Sequence, residues 1–274
     1  MAGLSDHPTV SVLLPVKDAP REYLRQAIDS IVAQTFADWE LVIVEAIGAD
    51  GESATRALPG IADTPGIRVV EIPPPTNLVA QLNKGLEGCR GALVARMDAD
   101  DICRPNRLQQ QVAFLENHPE MDVVGSQIEA IDGAGRRIGA RRYPLSHEAI
   151  VAAMQRYNPL AHPAVMFRKD VVLEAGGYRY PERAAQDYEL WCRLARAGRR
   201  FANLPEPLLQ YRLHAGAVKV SRLRDTIRST LATKQAYWSD CMSWRARGRM
   251  WLERAALSAP PAAVNWIFRR MHYR

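Results

Sequence analysis

The chain has 274 residues, 47% of them hydrophobic, and a net charge of +6, which leaves room for one large α/β domain with an appendage. Its four cysteines, Cys89, Cys103, Cys192 and Cys241, form no close pair, which argues against a disulfide framework or a zinc site and for a reducing compartment. Asp6, His7 and Pro8 stand where a signal segment needs an apolar run, and no apolar stretch is long enough to span a bilayer.

In chain order, Val10 to Leu14 predicts a short strand ended by Pro15. From Glu22 to Gln34, Leu24, Ala27, Ile28, Ile31 and Val32 share one helical face. Glu40 to Val44 and Ile67 to Ile72 read as buried strands, the second stopped by Pro73-Pro74-Pro75. Leu78, Leu82 and Leu86 space a helix that ends at Gly88, and Ala92 to Ala95 is the next strand. This β-α-β-α-β-α-β rhythm predicts a mostly parallel sheet with flanking crossover helices.

A helix begins near Asn106 and turns Leu108, Val112 and Leu115 inward, and Met121 to Val124 is another strand. Gln127 to Ile131, Asp132-Gly133 and Arg136 to Tyr143 read as a hairpin. Glu148 to Arg156 is helical, Val165 to Phe167 a strand, and Gly176-Gly177 stops a short helix. Gln186-Asp187 opens a helix through Ala197, Leu208 to Leu213 is a last strand, and from Lys219 the pattern is helical, broken at Pro260-Pro261.

The stretch with most chemistry is Arg96-Met97-Asp98-Ala99-Asp100-Asp101, at the exit of a predicted strand. That edge of an open α/β sheet is where ligands bind. Crowded carboxylates repel one another unless a cation joins them, and a hard divalent ion shared with substrate phosphates answers that need. The competing reading is an acidic turn that caps the following helix.

An ordered set of segments then points to a family: Val10 to Asp18, Asp29 to Phe36, the acidic turn with Pro105 and Arg107-Leu108, Gly176-Gly177-Tyr178, Gln186 to Trp191, and Tyr211 to His214. Over about residues 9–218 the chain resembles the family 2 glycosyltransferases of the GT-A, Rossmann-like fold. The resemblance implies a metal-dependent, inverting transfer from a nucleotide-diphosphate sugar, a UDP-sugar first, with GDP- or dTDP-sugar as alternatives. The acceptor it implies is a hydroxyl of a cell-surface glycan or lipid-linked saccharide.

By the same resemblance Asp98 lies near the ribose, and Asp100 holds Mg²⁺ or Mn²⁺ against the diphosphate, with His214 near the metal or the diphosphate; taken alone His214 reads as a polar residue at a strand end. Asp101 is a helix cap or a support for the metal ligands. Asp187 is the catalytic base, at a helix start whose dipole favours the ionised form; taken alone it reads as an N-cap. Arg212 pairs with the diphosphate or with a surface carboxylate. His162, in Leu160-Ala161-His162-Pro163, matches a family segment without a chemical role, and Asn83-Lys84-Gly85 reads as a helix C-terminus.

Two departures fall on recognition of the nucleotide base. The paired aspartates usual after the second strand are replaced by Glu45-Ala46, leaving Glu45 for the ring contact, and the aromatic usual two residues after Pro15 is Lys17. Pro15, Lys17 and Glu45 are therefore the candidate base-binding residues. A Gln-x-x-Arg-Trp run, usual in processive relatives, is absent from the sequence, which favours transfer of one sugar.

Charge divides the chain near residue 218: residues 219–274 hold 12 Lys or Arg against 3 Asp or Glu, and the rest 24 against 27. The predicted division is a catalytic domain over 1–218, with a nucleotide half to about 125 and an acceptor half from 126, and a basic helical tail with Trp238, Trp244, Trp251 and Trp266. Arginine and tryptophan at helical spacing suit an anionic membrane surface; they equally suit packing on the domain. No nucleic-acid motif supports that partner. The expected setting is peripheral, on the cytoplasmic face of a bacterial inner membrane. The rival readings are a GT-A domain that has lost donor binding and serves as a scaffold, and, last, a nucleotidyltransferase, whose Gly-rich loop is missing from Lys17 to Arg21.

Overall fold

A computed structural model of the chain describes residues 7–48, 51–61, 63–180, 184–213 and 220–258, with side chains from 224 onward in the last segment. Four strands, β1 (Val10–Val16), β2 (Trp39–Ala46), β3 (Ile67–Ile72) and β4 (Leu93–Arg96), form a parallel block in the order β3-β2-β1-β4. Val10 stands opposite both Trp39 and Leu93, so the carboxyl ends of β1, β2 and β4 reach one edge together. Every residue of β1 and β2 is buried, as a parallel sheet covered on both faces requires.

Alternation then sorts the side chains. Val10, Val12, Leu14, Leu41 and Ile43 enter one hydrophobic cluster, with α1 (Arg21–Val32) and α3 (Arg107–Asn117). Leu13, Val42 and Val44 enter the other, with α2 (Leu78–Gly88). Gly85 is what lets α2 lie so close: a Cβ there would stand 2.2 Å from Leu13 Cδ1 and 2.7 Å from Val44 Cγ2.

Beyond β4 the sheet is mixed. β8 (Met166–Arg168) runs antiparallel to both β4 and β6 (Val123–Ile131), β9 (Phe201–Arg212) runs parallel to β6, and β5 (Ile102–Cys103) runs antiparallel to β9. β7 (Arg137–Arg141) pairs with β6 as the hairpin expected from Asp132-Gly133. The two strands expected at 121–124 and 127–131 are one. Its polar centre, Ser126-Gln127, is buried at a register shift, where Gln127 Nε2 donates to the carbonyls of Tyr143 and Leu204. β9 starts seven residues before the expected Leu208, because Pro205 and Pro207 interrupt the sequence pattern at a bulge that the ladder tolerates.

Three short helices complete the second face: α4 (His147–Met154), capped by Ser146, α5 (Lys169–Glu174) and α6 (Gln186–Arg196). The basic segment forms α7 (Val220–Trp238) and α8 (Trp244–Ser258), and these join the core. Trp238, Met242 and Ala246 are buried in the same cluster as Trp191 of α6, and Trp238 Nε1 donates to Cys192 Sγ at 3.2 Å. Among the described residues no helix is long and apolar enough to cross a membrane. Pro260-Pro261 and Trp266 lie outside the described residues.

Candidate active site

The chain leaves the sheet at Met97, whose N–H still reaches Leu13 O, and turns through Asp98 to Asp101 into β5. Two buried side chains fix the ends of this turn. Arg107 donates to the carbonyls of Arg96 and Val165 at 2.7 and 3.1 Å, and to Gln111 Oε1. Arg212 donates through Nε to Asp100 O, through Nη1 to the carbonyls of Asp132 and Gly133, and through Nη2 to Gln26 Oε1, while its guanidinium lies 4.3 Å from the Tyr23 ring. The turn is thus stitched to α1 and to the β6–β7 hairpin. Arg212 is 1% exposed with its donors committed inside the fold, which corrects its expected pairing with a diphosphate.

Asp98, Asp100 and Asp101 bring one carboxylate oxygen each within 4.8 Å of one another. Asp101 is fully buried; its Oδ1 accepts the Arg212 N–H at 2.9 Å and its Oδ2 has no partner. This position is not a helix cap, since α3 begins only at Arg107. Burial, then the charges of Asp98 and Asp100, push the Asp101 carboxyl well above its ordinary value. An orphaned buried oxygen beside two further carboxylates fits a hard divalent cation, which takes oxygen ligands and relieves that repulsion.

Arg96, 3% exposed, lies beside this cluster. Its Nη2 meets Asp98 Oδ1 at 2.5 Å, while Nε and Nη1 have no partner. Its charge acts on Asp101, on Tyr178 and His162, and on Asp187. Asp187 lies in the first turn of α6, after Ala185 in the left-handed region at φ 57°. Asn158 Nδ2 donates to Asp187 Oδ2 at 2.7 Å. Burial raises the Asp187 carboxyl above its ordinary value, opposed by the Tyr188 N–H, the Arg96 charge and the Asn158 amide. The acidic turn and Asp187, almost ninety residues apart in sequence, therefore feel the charge of one guanidinium, whose ion pair is with Asp98.

The other candidates divide. Lys17 is exposed just past β1, four residues beyond Leu13, which stands opposite Arg96; it lies on the same sheet edge as the acidic turn. Pro15 is buried within β1 opposite Val44. Glu45 is 2% exposed and its carboxylate is consumed by the next loop: it accepts from Ser53 Oγ at 2.7 Å and from the backbone and hydroxyl of Thr55, and from Ala54 N. That corrects its expected ring contact, because both oxygens are turned to residues 53–55. His214 lies outside the described residues.

Asn83, His162, Tyr178, Asn158 and Arg96 carry no chemical role in the sequence reading. Asn83 sits inside α2, not at its end, and clamps Tyr178 by its backbone, accepting N–H at 2.8 Å and donating to O at 3.0 Å. Tyr178 Oη meets His162 Nε2 at 3.0 Å, and burial, with the Arg96 charge, pushes the imidazole well below its ordinary value, so it is neutral. Asn158 and Arg96 carried a signal only in their neighbours: Asn158 precedes a proline near the His162 segment, and Arg96 precedes the acidic turn.

Residues 11–175, more than half of the chain, match the family model described as glycosyl transferase family 2. The amylovoran biosynthesis glycosyltransferase AmsE of Erwinia amylovora is 36% identical over 216 residues, which is 79% of each chain. The O-antigen biosynthesis glycosyltransferase WbnJ of Escherichia coli is 33% identical over 219 residues, 78% of this chain and 83% of that one. The UDP-Gal:alpha-D-GlcNAc-diphosphoundecaprenol beta-1,3-galactosyltransferase of Escherichia coli is 30% identical over 220 residues, 78% of each. Among solved structures, S. aureus TarS 1-349 in complex with UDP-GlcNAc superposes with a TM-score of 0.63 at 15% identity, over 88% of this chain and 70% of that one. This likeness is one of fold.

Proposed function

The chain belongs to the family 2 glycosyl transferases, and from that premise we propose that it moves one sugar, with inversion, from a nucleotide-diphosphate donor to a hydroxyl of a lipid-linked saccharide in bacterial glycan assembly. The observation that carries this reading is the carboxylate cluster: Asp98, Asp100 and Asp101 bring one oxygen each within 4.8 Å, with Arg96 paired to Asp98 and its charge felt by Asp187 at the start of α6. Donor and acceptor chemistry need these two features in one cleft.

Asp98, Asp100 and Asp101 would hold Mg²⁺ or Mn²⁺, with Asp100 as the ligand toward the diphosphate and Asp98 also near the ribose. When bound, that ion stabilises negative charge on the departing diphosphate. Asp187 accepts the proton of the acceptor hydroxyl as its oxygen bonds to the anomeric carbon. The bond from that carbon to the phosphate oxygen breaks, and the nucleoside diphosphate leaves with the electron pair. Asn158 and the Tyr188 N–H favour the ionised form of Asp187 against its burial. Glu45 acts indirectly, by folding the 53–55 segment at the edge where the base is bound, and Lys17 and Pro15 border the same edge.

UDP-sugar is the first donor, supported by the UDP-Gal and UDP-GlcNAc in the names of a relative and a structural neighbour. The diphosphoundecaprenol in the relative's name supports an acceptor held at the inner face of the bacterial inner membrane, met by a peripheral enzyme. The test is a thermal-shift screen of nucleoside diphosphates with Mn²⁺, since a ligand bound to the folded state raises Tm. UDP with Mn²⁺ stabilises the protein and Asp100→Ala loses the shift. No shift with any nucleotide refutes a donor site, and a shift with GDP or dTDP alone replaces the donor.

A further inference from the structure

The most unusual surface away from the cleft is on α8. Trp244, Trp251 and Leu252 are 77%, 72% and 68% exposed, the highest values among the large apolar side chains of the described residues. Trp244 and Trp251 are seven residues apart, about two turns, so both rings project from one face, and Leu252 is next to it. Arg245 borders that face on one side, and Arg247 and Arg254 on the other.

The opposite face is fully used. Ala246 is buried, and Glu253 pairs with Lys234 of α7 at 2.6 Å and with Arg249 at 3.1 Å. These contacts fix the rotation of α8 about its axis, so the tryptophans face outward because the helix is locked, not because it is loose. They also spend the one carboxylate of α8, leaving Arg245, Arg247 and Arg254 to set the sign of the outer face.

Beside this face, between α7 and α8, lies a cavity of about 180 Å³ lined by Gln235, Ser239, Met242, Arg247, Met250 and Arg254. Arg254 Nη2 is oriented by Gln235 Oε1 at 3.1 Å. Two exposed guanidiniums and two methionines lining one depression suit a phosphate with an apolar chain attached.

We propose that the outer face of α8 docks on an anionic phospholipid surface, with Trp244, Trp251 and Leu252 in the headgroup layer and Arg247 and Arg254 presenting the adjoining cavity to a lipid phosphate. Exposed indole rings gain there what water denies them, since the interface accepts both the apolar body and the N–H. Flanking arginines without an outer carboxylate choose an anionic surface over a neutral one. The proposal gives a physical basis to the membrane-held acceptor of the proposed function, but vesicle binding is measured without sugar transfer, so the two fail separately.

The test uses the full chain and sedimentation with phosphatidylcholine vesicles, alone or mixed with phosphatidylglycerol. The chain binds the mixed vesicles and not the neutral ones, its tryptophan emission shifts to the blue, and binding weakens as salt rises. Trp244→Ser with Trp251→Ser, and separately Arg247→Gln with Arg254→Gln, each weaken binding by roughly tenfold or more while Tm is kept, because the altered side chains are exposed. Equal binding by these variants, no binding by the native chain, or equal binding to neutral vesicles overturns the proposal. So does a stable dimer that shields the two tryptophans, a preference for nucleic acid over vesicles, or stabilisation by inorganic phosphate without vesicle binding.

Discussion

Replacing Asp101 by Asn should make the metal-free protein more stable and remove its response to divalent ions. In the native chain three carboxylate oxygens lie within 4.8 Å, and Asp101 is the buried one. Two unit charges about 5 Å apart cost roughly 3 kcal/mol at an effective dielectric near 20. The repulsion relieved is that with Asp98, in part offset by Arg96 at 2.5 Å, and with the partly exposed Asp100, about 1–3 kcal/mol in all after solvent screening. The Asn side chain still accepts the Arg212 N–H through Oδ1, and its amide N–H points a donor, in place of the unpartnered Oδ2, toward the neighbouring Asp98 and Asp100 carboxylates. For a chain of this size each kcal/mol moves Tm by about 2–4 °C.

The pH dependence has a definite sign. With the folded Asp101 carboxyl raised above its ordinary value, the folded state binds the extra proton, so stability falls as pH climbs from the ordinary carboxylate range to the raised one. The variant lacks that fall. Thermal unfolding with chelator, and with Mn²⁺ and UDP, reads both effects: the native chain gains Tm with the ion, and Asp101→Asn starts higher and gains little. A metal-free Tm below that of the native chain, or an undiminished Mn²⁺ response, refutes the assignment of Asp101 to the cation site.

Asn158→Ala removes a hydrogen bond that favours ionised Asp187, so the acidic limb of the rate profile moves to higher pH, by about one unit or less for a partly exposed group. Arg212→Lys cannot reproduce the fork that holds Asp100, Asp132, Gly133 and Gln26; denaturant unfolding should show a loss of about 2–4 kcal/mol, with weaker Mn²⁺-UDP binding. Gly85→Ala drives a methyl group into Leu13 and lowers stability by about 1–3 kcal/mol in the same assay. Trp238→Ala opens the core shared with Trp191 and costs about 3–5 kcal/mol, with no change in the salt dependence of vesicle binding.

Much of the fold is legible in the sequence because its signals are local. The β-α-β rhythm, the hydrophobic stripe of α1 and the helix spaced by Leu78, Leu82 and Leu86 each follow from residues a few positions apart. The cation cluster is legible for the same reason, since Asp98, Asp100 and Asp101 are near neighbours. β5, with two residues, and the proline-interrupted start of β9 give no periodic signal and exist only because a neighbouring strand pairs with them.

The roles of arginine and glutamate were not legible. Arg212 and Glu45 have the residue types and positions that suit a ligand, and the fold spends both on its own backbone and loops. The same holds for the tail. Its composition gives tryptophan and arginine but not which ring goes inward; α7 takes Trp238 into the core, and α8 turns Trp244 and Trp251 outward. Sequence by itself determined most of the elements, the acidic turn and the family, because these are written in short-range spacing. Tertiary structure alone decided which polar side chains are already satisfied, because a hydrogen bond such as Arg212 to Gln26 joins residues 186 positions apart and appears only when the sheet brings them together.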